Sequence, residues 1–382
     1  MGIDYRGSAH PTLGVEWEFA LVDKVTRDLS NSASELFDSV RQKEGADDPK
    51  LHKELLRNTV EVVSGICGTV DEAVEDLTRT LRIVRAAADE LGVDLYSAGT
   101  HPFARWSAQL LTSGRRYEEL IARTQWWGRQ MLIWGVHVHV GVRRREHVFP
   151  IIDSLLNQFP HLQALSASSP IWEGTDTGYA SNRAMMFQQL PTAGLPFQFA
   201  TWEEFEEFVG QQEKTGVIET LQDLRWDIRP SARLGTVEVR ICDGVSTLRE
   251  LRALVALTHC LVVDLEDRLE AGETLPTMPP WLVQENKWRA ARYGLEAEII
   301  LDADCNERLV TDDLSDLLER LGPVARRLGC TSDLAAVAEM PSRGASYQRQ
   351  RRVAEAHDGD LVAVVDSVVR ELDLSWSAAP QR

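Results

Sequence analysis

Four short segments of the chain alternate apolar residues with side chains that could do chemistry. Because successive side chains of a β-strand point to opposite faces, each segment predicts a strand with one apolar face and one reactive face. In the first segment the apolar face is formed by Val15, Trp17 and Phe19. The reactive side chains of the four segments are, in chain order, Glu16 and Glu18, Glu61, His137 and His139, and Glu238 and Arg240.

This set, together with Glu54, is rich in ligands for hard divalent cations. Carboxylate oxygens with one or two imidazoles suit Mg²⁺ or Mn²⁺ better than a closed zinc site. Because Mg²⁺ retains several waters and takes few protein ligands, this many carboxylates indicate two or more ions. Several cations held between carboxylates and arginines are typical of sites that clamp a triphosphate during phosphoryl transfer.

Each pattern taken alone also has an ordinary structural explanation. Glu16 and Glu18 could form a solvated strand face, and the two histidines could lie on a half-exposed strand. Glu238 and Arg240 could form a cross-strand ion pair. The joint occurrence of these patterns favours a shared site over separate exposed strands.

The composition limits the classes of partner. The chain has 382 residues, of which 43% are hydrophobic and 26% charged, an ordinary globular composition. A net charge of -18 argues against nucleic acid or an anionic membrane as partner, and an anionic substrate would need local arginines or bound cations. No segment has the apolar length of a membrane span, and residues 1–11 lack the order of a signal peptide. Five scattered cysteines without a CxxC motif indicate reduced thiols and a cytoplasmic protein.

The alternating segments predict the fold class. Strands of a parallel α/β sheet are buried on both faces and form continuous apolar runs, whereas each strand here has one polar face. We therefore expect an α+β fold with a mainly antiparallel sheet, helices on its apolar face and the reactive groups on the other. A single catalytic domain over residues 1–382 is expected, with a mostly helical region from about residue 248. Expected helices before that point are 34–43, 72–91 with Asp71 as N-cap, 117–132, 146–165 with a break at Pro160, and 202–213; residues 169–201 are expected to form a flexible active-site loop.

Several familiar catalytic signatures are absent from the sequence. It has neither a GxxxxGK[ST] nor a GxGxxG motif, and neither HExxH nor GxSxG. A nucleotide would therefore be bound without a Walker-type loop or a Rossmann fingerprint.

Six motifs in order along the chain carry a family resemblance: GVEWEF, HKELLRNTVEVVSGIC, GTHPFARW, WGVHVHVG, SNRAMMFQQLPTAGLP and GTVEVRICD. Their order and spacing resemble the carboxylate–amine ligase family, the group labelled glutamate–cysteine ligase type 2 in the glutamine synthetase superfamily. The resemblance covers roughly residues 10 to 370. It implies a curved, mainly antiparallel sheet whose concave face forms the active site, with helices outside.

The resemblance also implies roles for individual residues. The superfamily's ligand histidine follows a glycine by two positions, which selects His137 and leaves His139 one pleat along, contacting phosphate or another ligand. Arg240 matches the arginine that steadies the transferring phosphoryl group. The remaining roles are one metal at Glu18 and Glu61, another at Glu16, His137 and Glu238, a further acidic residue at Glu54, phosphate or substrate-carboxylate partners at Arg229 and Arg233, and a nucleotide contact at Arg183.

The activity that the resemblance implies is ATP-dependent ligation. A carboxylate attacks the γ-phosphorus of ATP to form an acyl phosphate, and an amine then displaces phosphate to form an amide. The family label suggests glutamate and cysteine as substrates, ATP as co-substrate, and a homodimer. The residues leave open a guanidino kinase on the same fold, a metal–nucleotide binding or regulatory protein, and a metal-dependent phosphate-ester hydrolase.

Overall fold

A seven-stranded sheet lies at the centre of the computed structural model, which describes residues 2–377. Its path is β10-β11-β5-β1-β3-β2, with β4 paired to β1, and every pairing in it is antiparallel. Three two-stranded pairs accompany it. The strands are β1 Leu13–Asp23, β2 Leu51–Lys53, β3 Thr59–Val63, β4 Val93–Tyr96, β5 Gly135–Gly141, β6 Ile171–Trp172, β7 Thr175–Asp176, β8 Ala193–Gly194, β9 Arg225–Trp226, β10 Ile228–Ser231, β11 Thr236–Asp243, β12 Glu298–Ile300 and β13 Glu307–Leu309.

Helices connect these strands in the first two thirds of the chain and dominate the last third. Apart from the β12–β13 hairpin, residues 248–377 are largely helical. The α-helices are α1 Ala33–Glu44, α2 Val70–Glu90, α3 Arg115–Thr124, α4 Trp126–Arg129, α5 Arg145–Leu155, α6 Phe159–Ser166, α7 Asn182–Phe187, α8 Trp202–Lys214, α9 Leu248–Glu270, α10 Pro280–Tyr293, α11 Val310–Leu328, α12 Thr331–Arg343, α13 Ser346–Ala356 and α14 Leu361–Ser377.

The apolar faces of the sheet strands form the main core against these helices. Val15, Trp17 and Phe19 of β1 are almost fully buried, as are Val138 of β5 and Val239 of β11. Helices α2, α6 and α9 pack on this side of the sheet. The opposite face is left to the charged side chains, so the predicted α+β fold with an antiparallel sheet is confirmed.

Two local predictions were wrong. The N-cap of α2 is Thr69, which has an extended backbone and whose hydroxyl oxygen accepts the N–H of Glu72, whereas Asp71 lies within the first helical turn. There its negative charge interacts favourably with the positive end of the helix dipole, but Asp71 is not the N-cap. The helix expected over 117–132 is divided into α3 and α4, because Gln125 has a positive φ of 50°.

The segment expected to be an irregular loop contains short elements, including α7 and β8. The five cysteines are free thiols, as predicted. Within residues 2–377, no helix combines the length and apolar composition needed to cross a bilayer. The single-domain organisation stays a prediction, and residue 1 and residues 378–382 of that range lie outside the described part.

Candidate active site

The strand register brings the predicted reactive residues together on one face of the sheet. Glu18 of β1 is directly opposite Glu61 of β3, and Glu16 is opposite His137 of β5. On the other edge of β5, His139 is opposite Glu238 of β11. Directly opposed residues on neighbouring strands have their Cβ atoms about 4.5–5.5 Å apart. Side chains from separate parts of the chain therefore converge because of the sheet pairing alone.

Two groups of three could each hold a metal ion. In both groups one ligand atom from each residue lies within 4.8 Å of the others. One group is Glu16, His137 and Glu238, and the other is Glu18, Glu61 and His137. The first group has the residues predicted from the resemblance for one site, and the second contains the predicted Glu18 and Glu61 together with His137, which was not predicted there; metal binding by either group stays a prediction. Glu54 and His139 belong to neither group.

His137 and His139 differ in their surroundings. His137 Nδ1 lies 2.8 Å from Glu16 Oε2, and burial and the charge of Arg240 lower the pKa of His137 to about 4. Its imidazole is therefore neutral at pH 7, the form that binds a metal. The other ring nitrogen of His137, Nε2, lies 3.4 Å from Arg183 Nη2. His139 Nε2 lies 3.1 Å from Glu16 Oε1, and its Nδ1 lies 3.0 Å from Thr236 Oγ1. This placement suits an orienting role for His139 toward Glu16.

One wall of the site is acidic. Burial and the charge of Glu54 raise the pKa of Glu18 to about 7, and burial with the charge of Glu61 raises the pKa of Glu54 to about 8. Burial also raises the pKa of Glu61 to about 7, despite a hydrogen bond from His52. Burial acts in the same direction on Glu16, but its two histidine partners outweigh it and hold the pKa well below its usual value.

This acidic wall fits hard divalent cations. Each group of three offers carboxylate oxygens and one neutral imidazole nitrogen, the donor types that Mg²⁺ and Mn²⁺ accept. The carboxylates also repel one another, and a bound cation would remove that repulsion. The identity and number of the ions stay a prediction.

The opposite wall, formed by β10 and β11, is basic and is built around Glu238, which also belongs to one of the two candidate metal groups. Arg229 donates from Nε to Glu238 Oε2 at 2.7 Å and from Nη2 to Oε1 at 3.2 Å. Arg240 donates from Nη1 to the same carboxylate. Burial acts to raise the pKa of Glu238, yet Arg229 and Arg240 lower it well below its usual value. Two guanidinium groups thus share one carboxylate, which leaves a surplus positive charge facing the acidic wall.

A β-bulge positions Arg240. The register of β11 against β5 shifts between Val239 and Cys242, so one extra residue is accommodated there. Arg183 of α7 donates from Nη1 to the carbonyl oxygens of Arg240 and Ile241, at 3.1 and 3.2 Å. Arg183 is buried, not carried on an open loop as predicted. It lines the cavity while holding the backbone that carries Arg240.

The two walls enclose a cavity of about 750 Å³. It is lined by Glu16, Glu18, Glu54, Glu61, His137, Arg183, Arg229 and Arg240 of the predicted set. Arg233 does not line it, because it lies exposed in the turn between β10 and β11. This turn contains Gly235 at φ 67°, where a Cβ would lie 1.7 Å from the carbonyl oxygen of Arg6. The assignment of Arg233 to the site is therefore not supported by its position.

Several residues of the cavity were missed from the sequence. Arg116 and Tyr117 come from α3, Arg225 begins β9, and His52 and Lys53 come from β2. The strand β2 has only three residues, too short for an alternation signal. For Arg225, the one available signal was its spacing of four from Arg229, which places the two on one side of an extended chain.

Comparison with known proteins gives first the class of fold. Over 97% of this chain and 90% of the other, the structure matches a glutamate–cysteine ligase of Francisella tularensis solved in complex with AMP, with a TM-score of 0.69 and 12% identity. That likeness shows a glutamate–cysteine ligase-like fold, in agreement with the antiparallel sheet and its outer helices.

The sequence comparisons then give the family. A family model described as Glutamate-cysteine ligase family 2 matches residues 12–367. A protein of Nocardioides sp., provisionally named glutamate–cysteine ligase 2-3, is 70% identical over 373 residues, covering 97% of this chain and 99% of the relative. One of Mycobacterium ulcerans, provisionally named glutamate–cysteine ligase 2, is 69% identical over 372 residues, 97% of this chain and 94% of the relative. The chain belongs to glutamate–cysteine ligase family 2.

The two histidines give a prediction that separates their roles. We expect His137→Ala to weaken Mg²⁺ or Mn²⁺ binding far more than His139→Ala, because His137 belongs to both candidate groups and His139 to neither. His139→Ala removes an orienting partner, a loss that typically costs about 10–100-fold in metal affinity. His137→Ala removes a ligand and is expected to cost more. Calorimetric titration of Mn²⁺ into each purified variant measures this. Equal shifts, or a larger shift for His139→Ala, would show that the ligand is one pleat further along β5.

Proposed function

We propose that this protein is an ATP-dependent carboxylate–amine ligase that forms an amide through an acyl phosphate. The observation that carries the proposal is the cavity with an acidic, metal-competent wall facing Arg229 and Arg240. A nucleotide triphosphate needs cations on one side of its phosphates and fixed positive charge on the other. Membership of the ligase family supports the same reaction.

The chain's own residues have defined tasks in this reaction. Divalent cations, when held by Glu16, Glu18, Glu61, His137 and Glu238, would neutralise phosphate charge. Arg240 presents a planar guanidinium, which can bridge two oxygens of the phosphoryl group as it moves from ATP to the carboxylate. Arg229 holds Glu238 in place, so Glu238 stays ionised beside Arg240. The carboxylate of the substrate is the nucleophile, and no protein nucleophile is required.

The amine substrate completes the reaction by attacking the acyl carbon and displacing inorganic phosphate. The names of the relatives support glutamate as the carboxylate and cysteine as the amine. No sequence feature of the chain selects a thiol, so the amino-acid pair is the part of the proposal that depends on the family. A cytoplasmic location and a homodimer also stay predictions.

The product of ATP cleavage tests the mechanism. We expect Mg²⁺- or Mn²⁺-dependent release of ADP and phosphate that requires an amino acid, because an acyl phosphate is formed by transfer of the γ-phosphoryl group. The nucleotide products are separated by ion-exchange chromatography, with amino acids supplied singly and in pairs. Release of AMP and pyrophosphate would contradict the acyl-phosphate route even if an amide formed. A phosphorylated guanidino product, or phosphate-ester hydrolysis without ATP, would favour the alternative activities.

A further inference from the structure

Besides Arg41, which is paired with Asp47, two cavity arginines have no task in the proposed reaction. Arg116 lies in the first turn of α3, and the structure of residues 2–377 gives it no hydrogen bond or ion pair. Arg225 begins β9 and contacts the residue two positions before it. It donates from Nη1 to the Asp223 carbonyl oxygen at 3.1 Å and from Nη2 to Asp223 Oδ1 at 3.3 Å.

The charge of Arg225 is only partly balanced. The Asp223 carboxylate also accepts the backbone N–H groups of Glu219 and Thr220, both at 3.1 Å. Burial lowers the pKa of Arg225, Asp223 opposes that effect, and the charge of Arg116 reinforces it. The other two arginines of the basic wall already share Glu238. Arg116 and Arg225 therefore have one carboxylate, that of Asp223, between them, and the charges of both lower its pKa, so a net positive charge remains on this side of the cavity.

The surroundings of this pair suit a carboxylate attached to an aliphatic chain. Arg116 and Leu120 are four residues apart, so they lie on the same face of α3, and both line the cavity. Leu190 adds apolar surface from the segment after α7. A guanidinium fork matches the geometry of a carboxylate. The triphosphate of the proposed reaction, in contrast, would be neutralised by cations held at the acidic wall and by Arg240.

We propose that Arg116 and Arg225 bind the non-reacting carboxylate of an amino-acid substrate. This rests on the proposed function, because that function requires a carboxylate donor and an amine acceptor in the same cavity. The pair then selects amino acids over otherwise identical molecules that lack the extra carboxylate. The substrate bound in this way is either the carboxylate donor or the amine acceptor, and the experiment distinguishes the two.

Binding and kinetics are measured with matched pairs of molecules. L-glutamate is compared with 4-aminobutyrate as donor, and L-cysteine with cysteamine as acceptor. For Arg225→Gln and Arg116→Gln, we expect the KM and the calorimetric dissociation constant of one amino acid to rise about ten- to a hundredfold, the range of a lost charged hydrogen bond. The constants for its decarboxylated analogue and for ATP should change less than twofold.

Arg115→Gln is the matched control, because Arg115 neighbours Arg116 and is exposed like it, but pairs with Glu119 and does not line the cavity. A rise in the KM for ATP alone would assign the pair to phosphate and overturn the proposal. An equal loss for the amino acid and its decarboxylated analogue would also overturn it, because the carboxylate would then make no difference. If the wild-type protein binds an amino acid in an Arg225-dependent manner but forms no amide, the carboxylate site stands and the proposed function fails.

Discussion

Glu16→Gln and Glu18→Gln are each expected to reduce turnover by at least about three orders of magnitude while the protein stays folded. Each substitution removes an anionic oxygen from one candidate metal group, and Glu16 also orients both histidines. A charge-stabilising group in a water-excluded site typically contributes about 10²–10³ in kcat, and here one substitution affects cation and imidazole together. The amide keeps the shape of the side chain, and the apolar face of β1 is untouched.

The measurement is steady-state ADP release at saturating Mg²⁺, with circular dichroism and thermal unfolding to check the fold. Glu213→Gln is the control, because Glu213 is exposed near the end of α8 and lies outside the cavity. Wild-type activity in either purified site variant would contradict the two metal groups. A loss of turnover that is matched by loss of the folded state would instead show that these residues maintain the sheet.

Arg240→Lys is expected to lower kcat by about two to three orders of magnitude with a smaller effect on the KM for ATP. A guanidinium can donate two parallel hydrogen bonds to phosphoryl oxygens, whereas an ammonium is a point charge. Lysine would still balance Glu238, so the basic wall would keep its charge. The expected loss therefore concerns geometry in the transition state rather than binding in the ground state.

Pre-steady-state ADP formation, measured in a single turnover, separates the chemical step from product release. Arg233→Lys serves as the comparison, since Arg233 lies in the exposed turn before β11. If Arg240→Lys raises only the KM for ATP, Arg240 contributes uniform binding and its assigned role is wrong. If Arg233→Lys causes the larger loss of kcat, then Arg233 acts in the reaction, and the β10–β11 turn has another position in the active protein.

The alternating strands could be predicted because their information is local. The two-residue period places Glu16 and Glu18 on one face whatever the rest of the chain does, and apolar alternates require a core on the other face. Antiparallel pairing followed from the same pattern. Which strands are neighbours, and the register that sets Glu16 opposite His137, came from the structure.

The missed and misplaced residues depend on information that is not local. Arg233 would share a face with Arg229 if the strand continued, but β10 ends at Ser231 and the chain turns. Arg116 reaches the cavity through the placement of α3, whose ends are fixed by hydrogen bonds from Tyr117 to the Lys53 carbonyl and from Arg123 to the Val217 carbonyl. No periodicity in the sequence indicates where α3 is placed relative to the sheet. The bulge beside Arg240 also could not be predicted, because apolar and polar residues alternate regularly through that segment.

Buried hydrogen bonds on both sides of the bulge connect β11 to α7 and to the segment that precedes it. Beyond the guanidinium of Arg183, the carboxylate of Asp243 at the end of β11 accepts the hydroxyls of Ser169 and Ser181, and Ser181 caps α7. Lifting α7 from the cavity would therefore break buried hydrogen bonds at both ends of the bulge. A local opening of that kind therefore costs more free energy than the movement of a segment with few buried contacts. We therefore expect α7 to stay in place while substrates enter and leave the cavity, and Arg240 to keep its orientation.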